Sequence, residues 1–259
     1  ALQDVFEKPI HTPQEEKIYR IQRGDVDQFE EFRHHRRKNL LVAAPVDAPH
    51  ATAGFLRGLL DPEVLNSART GEFSFSWKEE VWAREQVFLV LTGRDRDALV
   101  DNLRMEADQI YRIVDEARNR RIRKLIYRYG ERKNTTAELA ETYGWSVRVP
   151  FGYRILEAYP DSGFVALAKE EPSRWLFVYW EDGVPPDRLT AEWCIQKRDD
   201  ITRRFFDRDR IAPGEVATSQ TEFVGKLAFV LQGLWENEKK WTGGPFKSYA
   251  FVDVYRNRF

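Results

Sequence analysis

A chain of 259 residues that is 42 % hydrophobic and 14 % aromatic carries too much apolar surface to stay disordered, and it is long enough for one large domain or two ordinary ones. Lys plus Arg number 41 and Asp plus Glu 42, a formal charge of -1, which excludes a global pull toward nucleic acid or anionic lipid, so any such contact must be local. The single cysteine, Cys194, excludes an internal disulfide and a cysteine-built zinc or iron–sulfur centre within one chain, and no apolar run approaches the roughly 20 residues of a membrane-spanning helix.

Residues 1–38 read as a polar lead-in. ALQDVFEKPIHTPQEE is too polar for a signal peptide, and a chain beginning on Ala1 leaves room for an export signal or a lipidated cysteine upstream. VDQFEEFRHHRRKN reads as a short helix with Phe29 and Phe32 on one side, followed by a basic run.

Residues 39–133 form a first α+β half. LLVAAPV reads as a buried strand and DAPHATAGFLRGLLD as a short helix with Phe55 and Leu59 one turn apart. EFSFSWK alternates Phe73, Phe75 and Trp77 against Ser74 and Ser76, a half-buried strand, and the apolar run from Val87 to Leu91 is its central neighbour. From Arg94 the period changes to that of a helix, with Leu99, Leu103, Ala107, Ile110, Val114 and Ala117 inward, and Ile122, Leu125 and Tyr129 continuing the face after a slip. About 34 residues would make a helix roughly 50 Å long, enough to overhang a single sheet. The element order resembles a split α+β sandwich with helices on one face.

Residues 134–259 read as an expanded second half. NTTAELAETYG is a short helix stopped at Gly144, and WSVRVP, GYRILEAY, GFVALAKE and RWLFVYWED are successive strand candidates. PPDRLTAEWCIQKRDDITRRFF is a helix with Leu189, Trp193, Ile201 and Phe205 inward, broken at APG. Two long strands follow in EVATSQTEFVGKLAFVLQGLWENE, then GGPF, then KSYAFVDVY ending at Phe259, where the domain is expected to continue beyond the chain. The fold class is therefore α+β: antiparallel or mixed sheets covered by helices, in two related sandwich-like halves.

Chemical signatures are sparse. Gly243 and Gly244 could present amides to an anion, but neither GxxxxGK[ST] nor GxGxxG is present and Pro245 has no donor, so GGPF reads as a tight reversal with Trp235, Trp241 and Phe246 covering a core edge. His11, His34, His35 and His50 include no HExxH or HxH pair, and no metal or cofactor is expected. Glu79, Glu80, Asp199, Asp200, Asp207 and Asp209 lie among arginines in charge-compensated runs. Ser67, Ser76 and Ser162 lie outside any GxSxG elbow, and Cys194 falls within a helix. No catalytic residue is assigned. The strongest local signal is Arg118, Arg120, Arg121, Arg123, Lys124, Arg128, Arg132 and Lys133 against the single acid Glu131. That run reads first as a solvated helix terminus. The other readings are a protein or anionic membrane contact, and, least supported, nucleic acid.

NLLVAAPVDAP, EEVWAREQVFLVLTG, VPFGYRIL and GLWENEKKWTGGPFKSYAFVDVYRNR resemble an uncharacterised family of Bacteroidota proteins, a domain of unknown function in proteins predicted to be lipoproteins. The likeness runs from about Asn39 to Phe259. It implies export to the periplasmic side of a bacterial membrane and anchoring through a lipidated cysteine upstream of Ala1, and it supplies no activity, cofactor or substrate. Three functions are weighed: a noncatalytic envelope scaffold or accessory subunit acting through protein contacts, with Arg118, Arg120, Arg121, Arg123, Lys124, Arg128, Trp235 and Trp241 as candidate contacts; a periplasmic small-molecule binder or hydrolytic enzyme; and a nucleic-acid binder. The first is favoured.

Overall fold

The structure, a computed structural model, describes residues 1–10, 16–24, 26 and 37–259. The helix expected around Phe29 and Phe32, and His11, His34 and His35, lie outside the described residues. The chain divides into two compact units, one of residues 1–8 and 17–128, the other of residues 9–16 and 129–259. Both are α+β, with different strand orders.

The two-residue strands β1 (Pro9–Ile10) and β2 (Glu16–Lys17) pair with each other, residues 9–16 counting with the second unit, whereas the first unit opens with α1 (Leu2–Phe6). Its main sheet comprises β3 (Asn39–Pro45), β4 (Phe75–Glu79) and β5 (Val87–Gly93) in the order β3-β5-β4. β5 is central as expected, parallel to β3 and antiparallel to β4. Between β3 and β4 come α2 (Ala51–Leu59), capped by His50 Nδ1 accepting from the Ala53 amide at 3.3 Å, and α3 (Pro62–Thr70), a helix not anticipated from sequence. α4 (Arg96–Ile126) follows β5, started by Asp95, whose carboxylate accepts from the Ala98 amide at 2.8 Å.

Helices cover both faces of this sheet rather than one. VFLVLTG does not alternate, and every residue of β5 is buried. Val87, Leu89 and Leu91 meet Leu103, Ile110, Val114 and Ala117 of α4 and Phe6 of α1. Phe88 and Val90 meet Ala53 and Leu56 of α2 on the other face, with Leu65 of α3 packed alongside.

From residue 129 the second unit runs through α5 (Lys133–Tyr143), whose Leu139 is fully buried, then β6 (Arg154–Tyr159), β7 (Phe164–Lys169) and β8 (Arg174–Tyr179), an antiparallel meander. WSVRVP is not a strand. Trp145, Val147 and Val149 do face one core, as their alternation implies, but only Pro150 pairs, as an isolated bridge to Glu131. The helix α6 (Ala191–Phe205) is capped by the Thr190 hydroxyl, which accepts from the Trp193 amide at 3.1 Å. It packs Ile201 and Phe205 onto β7, where the Phe205 ring stacks 4.0 Å from that of Phe164. Cys194 and Trp193 pack onto the second sheet, an antiparallel meander of β9 (Arg210–Phe223), β10 (Lys226–Asn237) and β11 (Thr242–Phe251).

Two turn expectations are corrected here. Ala212, Pro213 and Gly214 lie inside β9, whose register against β10 shifts between Gly233 and Trp235. GGPF is strand rather than reversal: Gly243 pairs with Glu236, Gly244 with Trp235, Pro245 with Leu234 and Phe246 with Gly233. The chain reverses one step earlier, between Asn237 and Thr242, where Asn237 Oδ1 accepts from the Lys240 amide at 2.9 Å. The glycines are needed for room. A Cβ on Gly243 would stand 2.6 Å from the Trp235 carbonyl oxygen, and one on Gly244 3.2 Å from the Trp235 indole nitrogen.

Candidate functional site

α4 has 31 residues, so at 1.5 Å each it is about 46 Å long. Its buried residues stop at Ala117, and the final turns run past the sheet. What the cations there do is decided by the loop between β4 and β5. That loop is a defined structure: Glu80 and Glu85 both take positive φ, the Glu85 amide donates to the Glu80 carboxylate at 2.7 Å, and the fully buried Gln86 side chain accepts from the Trp82 amide at 3.1 Å.

The loop and its flanking strand collect most of the basic run. Arg120 pairs with Glu79, Lys124 pairs with Glu85 at 2.6 Å, and Arg121 donates to the Glu85 carbonyl and to Asn39 Oδ1, each at 3.0 Å. Arg118 approaches Asp115 at 3.6 Å and lies over the Tyr19 ring. Lys124 holds the Glu85 carboxyl below its ordinary 4.5 by a hydrogen bond, while desolvation lowers the Arg121 pKa. These are surface pairs of modest individual worth. Together they fasten the overhanging helix end to the loop. Arg123 is exposed and has no ionic or hydrogen-bonded side-chain partner among the described residues, and Arg128 is exposed beyond the helix, its amide bonded to the Leu125 carbonyl.

The apolar face continues beyond the core, as its period requires, but none of its last residues belongs to the buried core of the unit among the described residues. Ile122 is 36 % exposed, Leu125 66 % and Ile126 42 %, three aliphatic side chains spaced i, i+3 and i+4 and therefore on one face of the helix. The sequence reading placed Ile122 and Leu125 on the helix's apolar face; the structure leaves Leu125 mostly in solvent and Ile122 about one third exposed.

In the second unit, Trp235 is half-buried on β10 across from Gly244, whereas Trp241 is 92 % exposed at the hairpin reversal with φ of 51°. The core-edge reading therefore fails for Trp241, while Trp235 lies half-buried against Gly244. Phe246 packs in the core cluster of Cys194, Leu231 and Ala250. Asp199 accepts from the Ile211 amide at 2.7 Å and pairs with Arg203 at 2.6 Å, and Asp207 pairs with Lys240 at 3.2 Å, so these carboxylates serve structure. Burial pushes the Cys194 thiol up to about 11.

Arg198, unassigned from sequence, is the outlier. It is 7 % exposed on the inner face of α6, with its guanidinium carbon 3.5 Å from the Phe246 ring centroid, and its Nε and Nη1 are enclosed without a hydrogen-bond partner. A desolvated cation–π stack contributes about 2 kcal/mol. Each enclosed donor without a partner costs about 1–3 kcal/mol, and a charged one more, so the stack does not offset two. The sequence carried a signal: Arg198 lies one turn from both Cys194 and Thr202, a charge in the middle of a buried stripe.

Comparison with known proteins returns families without functions. Two domains of unknown function match the chain. Residues 131–259 match Domain of unknown function (DUF4837), and residues 1–127 match Domain of unknown function (DUF8532). The one family expected from about Asn39 onward thus resolves into two, and the gap between them, residues 128–130, contains the junction between the structural units. No curated protein and no solved structure matches. Among the described residues no group of three or more His, Cys, Asp or Glu could hold a metal ion, and no helix is long and apolar enough to cross a membrane.

Proposed function

We propose that the chain is a noncatalytic accessory or scaffold subunit of a bacterial cell envelope, and that it works by protein–protein contact through the free end of α4. The observation that carries this reading is the exposed stripe of Ile122, Leu125 and Ile126 on a helix end whose cations are already fastened to the neighbouring loop. Such an end is held rigid before binding, so little ordering entropy is lost on docking. The fitting partner is a protein surface with an apolar depression to receive the stripe and an acidic group at its edge for Arg123. Because Arg120 and Lys124 already have carboxylate partners, the end favours a protein over a polyanion such as nucleic acid. The envelope location and an upstream lipidated cysteine rest on the resemblance to predicted lipoproteins.

A photoreactive amino acid at position 125 of the full-length precursor, irradiated in cells, tests this. One discrete protein adduct, absent when the probe is moved to exposed Arg104 on the same helix, is the expected result. Adducts with lipid alone, or none at either position, would refute it.

A further inference from the structure

The charge left inside α6 has a use that the scaffold reading does not supply. Two carboxylates attract Arg198 through space, Asp199 and Asp209, yet neither hydrogen-bonds it. Asp199 is committed to Ile211 and Arg203, and Asp209 Oδ1 accepts from Asn237 Nδ2 at 2.6 Å. Burial lowers the Arg198 pKa to about 10, so the group remains a cation at neutral pH. An apolar side chain of similar length would avoid this cost, because replacing a poorly compensated buried charge by an apolar group is often neutral or stabilising. A guanidinium offers what no apolar residue can, planar donors matched to the oxygens of a carboxylate or a phosphate. Its cover is Phe246, a half-buried ring at the margin of the Cys194 core cluster on β11, an edge strand of its sheet, so a ligand reaches the guanidinium by displacing that one side chain.

We propose that Arg198 anchors a binding site for a small oxyanion, a carboxylate or phosphate group that enters beside Phe246 and takes up the unpartnered Nε and Nη1 donors. The site belongs to the second unit alone and is independent of the α4 contact.

Inorganic phosphate and acetate, each titrated against chloride at constant ionic strength, provide the test, read by thermal unfolding and by the Arg198 Nε–H signal in nitrogen-15 NMR. The wild-type Tm is expected to rise with one or both anions, with a saturable shift of that signal. A response to phosphate only assigns a phosphate or phosphate-ester ligand, to acetate only a carboxylate ligand, and either supports the site. Arg198→Met is expected to be at least as stable as wild type in chloride and to lose the response. Arg198→Lys is expected to need on the order of tenfold more anion, because it keeps the charge and loses the fork. Three results would each overturn the proposal: no saturable response to either anion, an equal response in Arg198→Met, or a marked loss of stability in Arg198→Met without anion, which would make Arg198 a structural strut. Should Arg198→Met fail to fold, the strut reading stands and the site is rejected.

Discussion

Replacing Leu125 by Asp separates folding from docking, because the side chain lies at the end of α4 and outside its buried core. Fully burying a leucine side chain contributes about 1.5–3 kcal/mol, and with 66 % of Leu125 still exposed, about two thirds of that, or 1–2 kcal/mol, remains to be gained from a partner. Loss of that gain weakens binding by about 5- to 30-fold, and a carboxylate forced into the same apolar contact weakens it further. Fold stability should fall by no more than about 1 kcal/mol, the helix-propensity and dipole cost of an aspartate in the last turn of α4. Leu103, 5 % exposed in the same helix, is the control, since Leu103→Ala should cost about 2–5 kcal/mol of stability. Urea unfolding and quantitative recovery of the native complex from the same preparations read the two effects. If Leu125→Asp lowered stability like Leu103→Ala, or left recovery of the complex unchanged, the stripe would not be a docking surface.

Further outcomes follow from individual contacts. Gly243→Ala should destabilise the protein by about 1–3 kcal/mol in urea, because the new Cβ meets backbone at 2.6 Å and β10 and β11 must separate; an unchanged midpoint would contradict the close-approach role. The Glu85 carboxyl titrates below 4.5, first through its bond to Lys124. Its folded pKa is depressed, so its contribution is complete above about pH 4.5 and is lost as pH falls through the lowered value. In Lys124→Met, carbon-detected NMR should show the Glu85 titration moving back up toward 4.5; no movement would dissolve the fastened-end picture. Cys194, 1 % exposed with its thiol pushed up to about 11, should stay unreactive toward a thiol reagent at pH 8 until the protein unfolds, and rapid labelling of the native protein would place α6 wrongly.

What the sequence disclosed and what it withheld divide along physical lines. The helical period from Leu103 to Ala117 found the buried face of α4, since packing against one sheet leaves that mark. The same period through Ile122 and Leu125 could not tell core from overhang, because periodicity names a face without naming what lies opposite. WSVRVP shows the same limit in a strand: its alternation reported which side chains turn inward, whereas a ladder also needs a neighbouring backbone. GGPF misled because Gly-Gly-Pro is turn chemistry when glycine supplies positive φ. Gly243 and Gly244 supply space instead, and positive φ falls on Trp241. For the candidate contacts, composition located the basic run, but its partners Glu79 and Glu85 are some 40 residues away in sequence, 41 for Arg120 and 39 for Lys124, and only the fold joins them. Arg198 was visible as a charge in an apolar stripe, and the missing partners that make it notable were not.

The central claim, that this chain works as part of an assembly, is tested most directly by the mass and composition of its native complex, purified in gentle detergent from cells making the full-length precursor with a C-terminal tag. The account requires a membrane-associated complex with at least one partner protein in constant ratio, which Leu125→Asp releases while the protein stays folded. A monodisperse monomer, free of lipid and of any second protein, would contradict it.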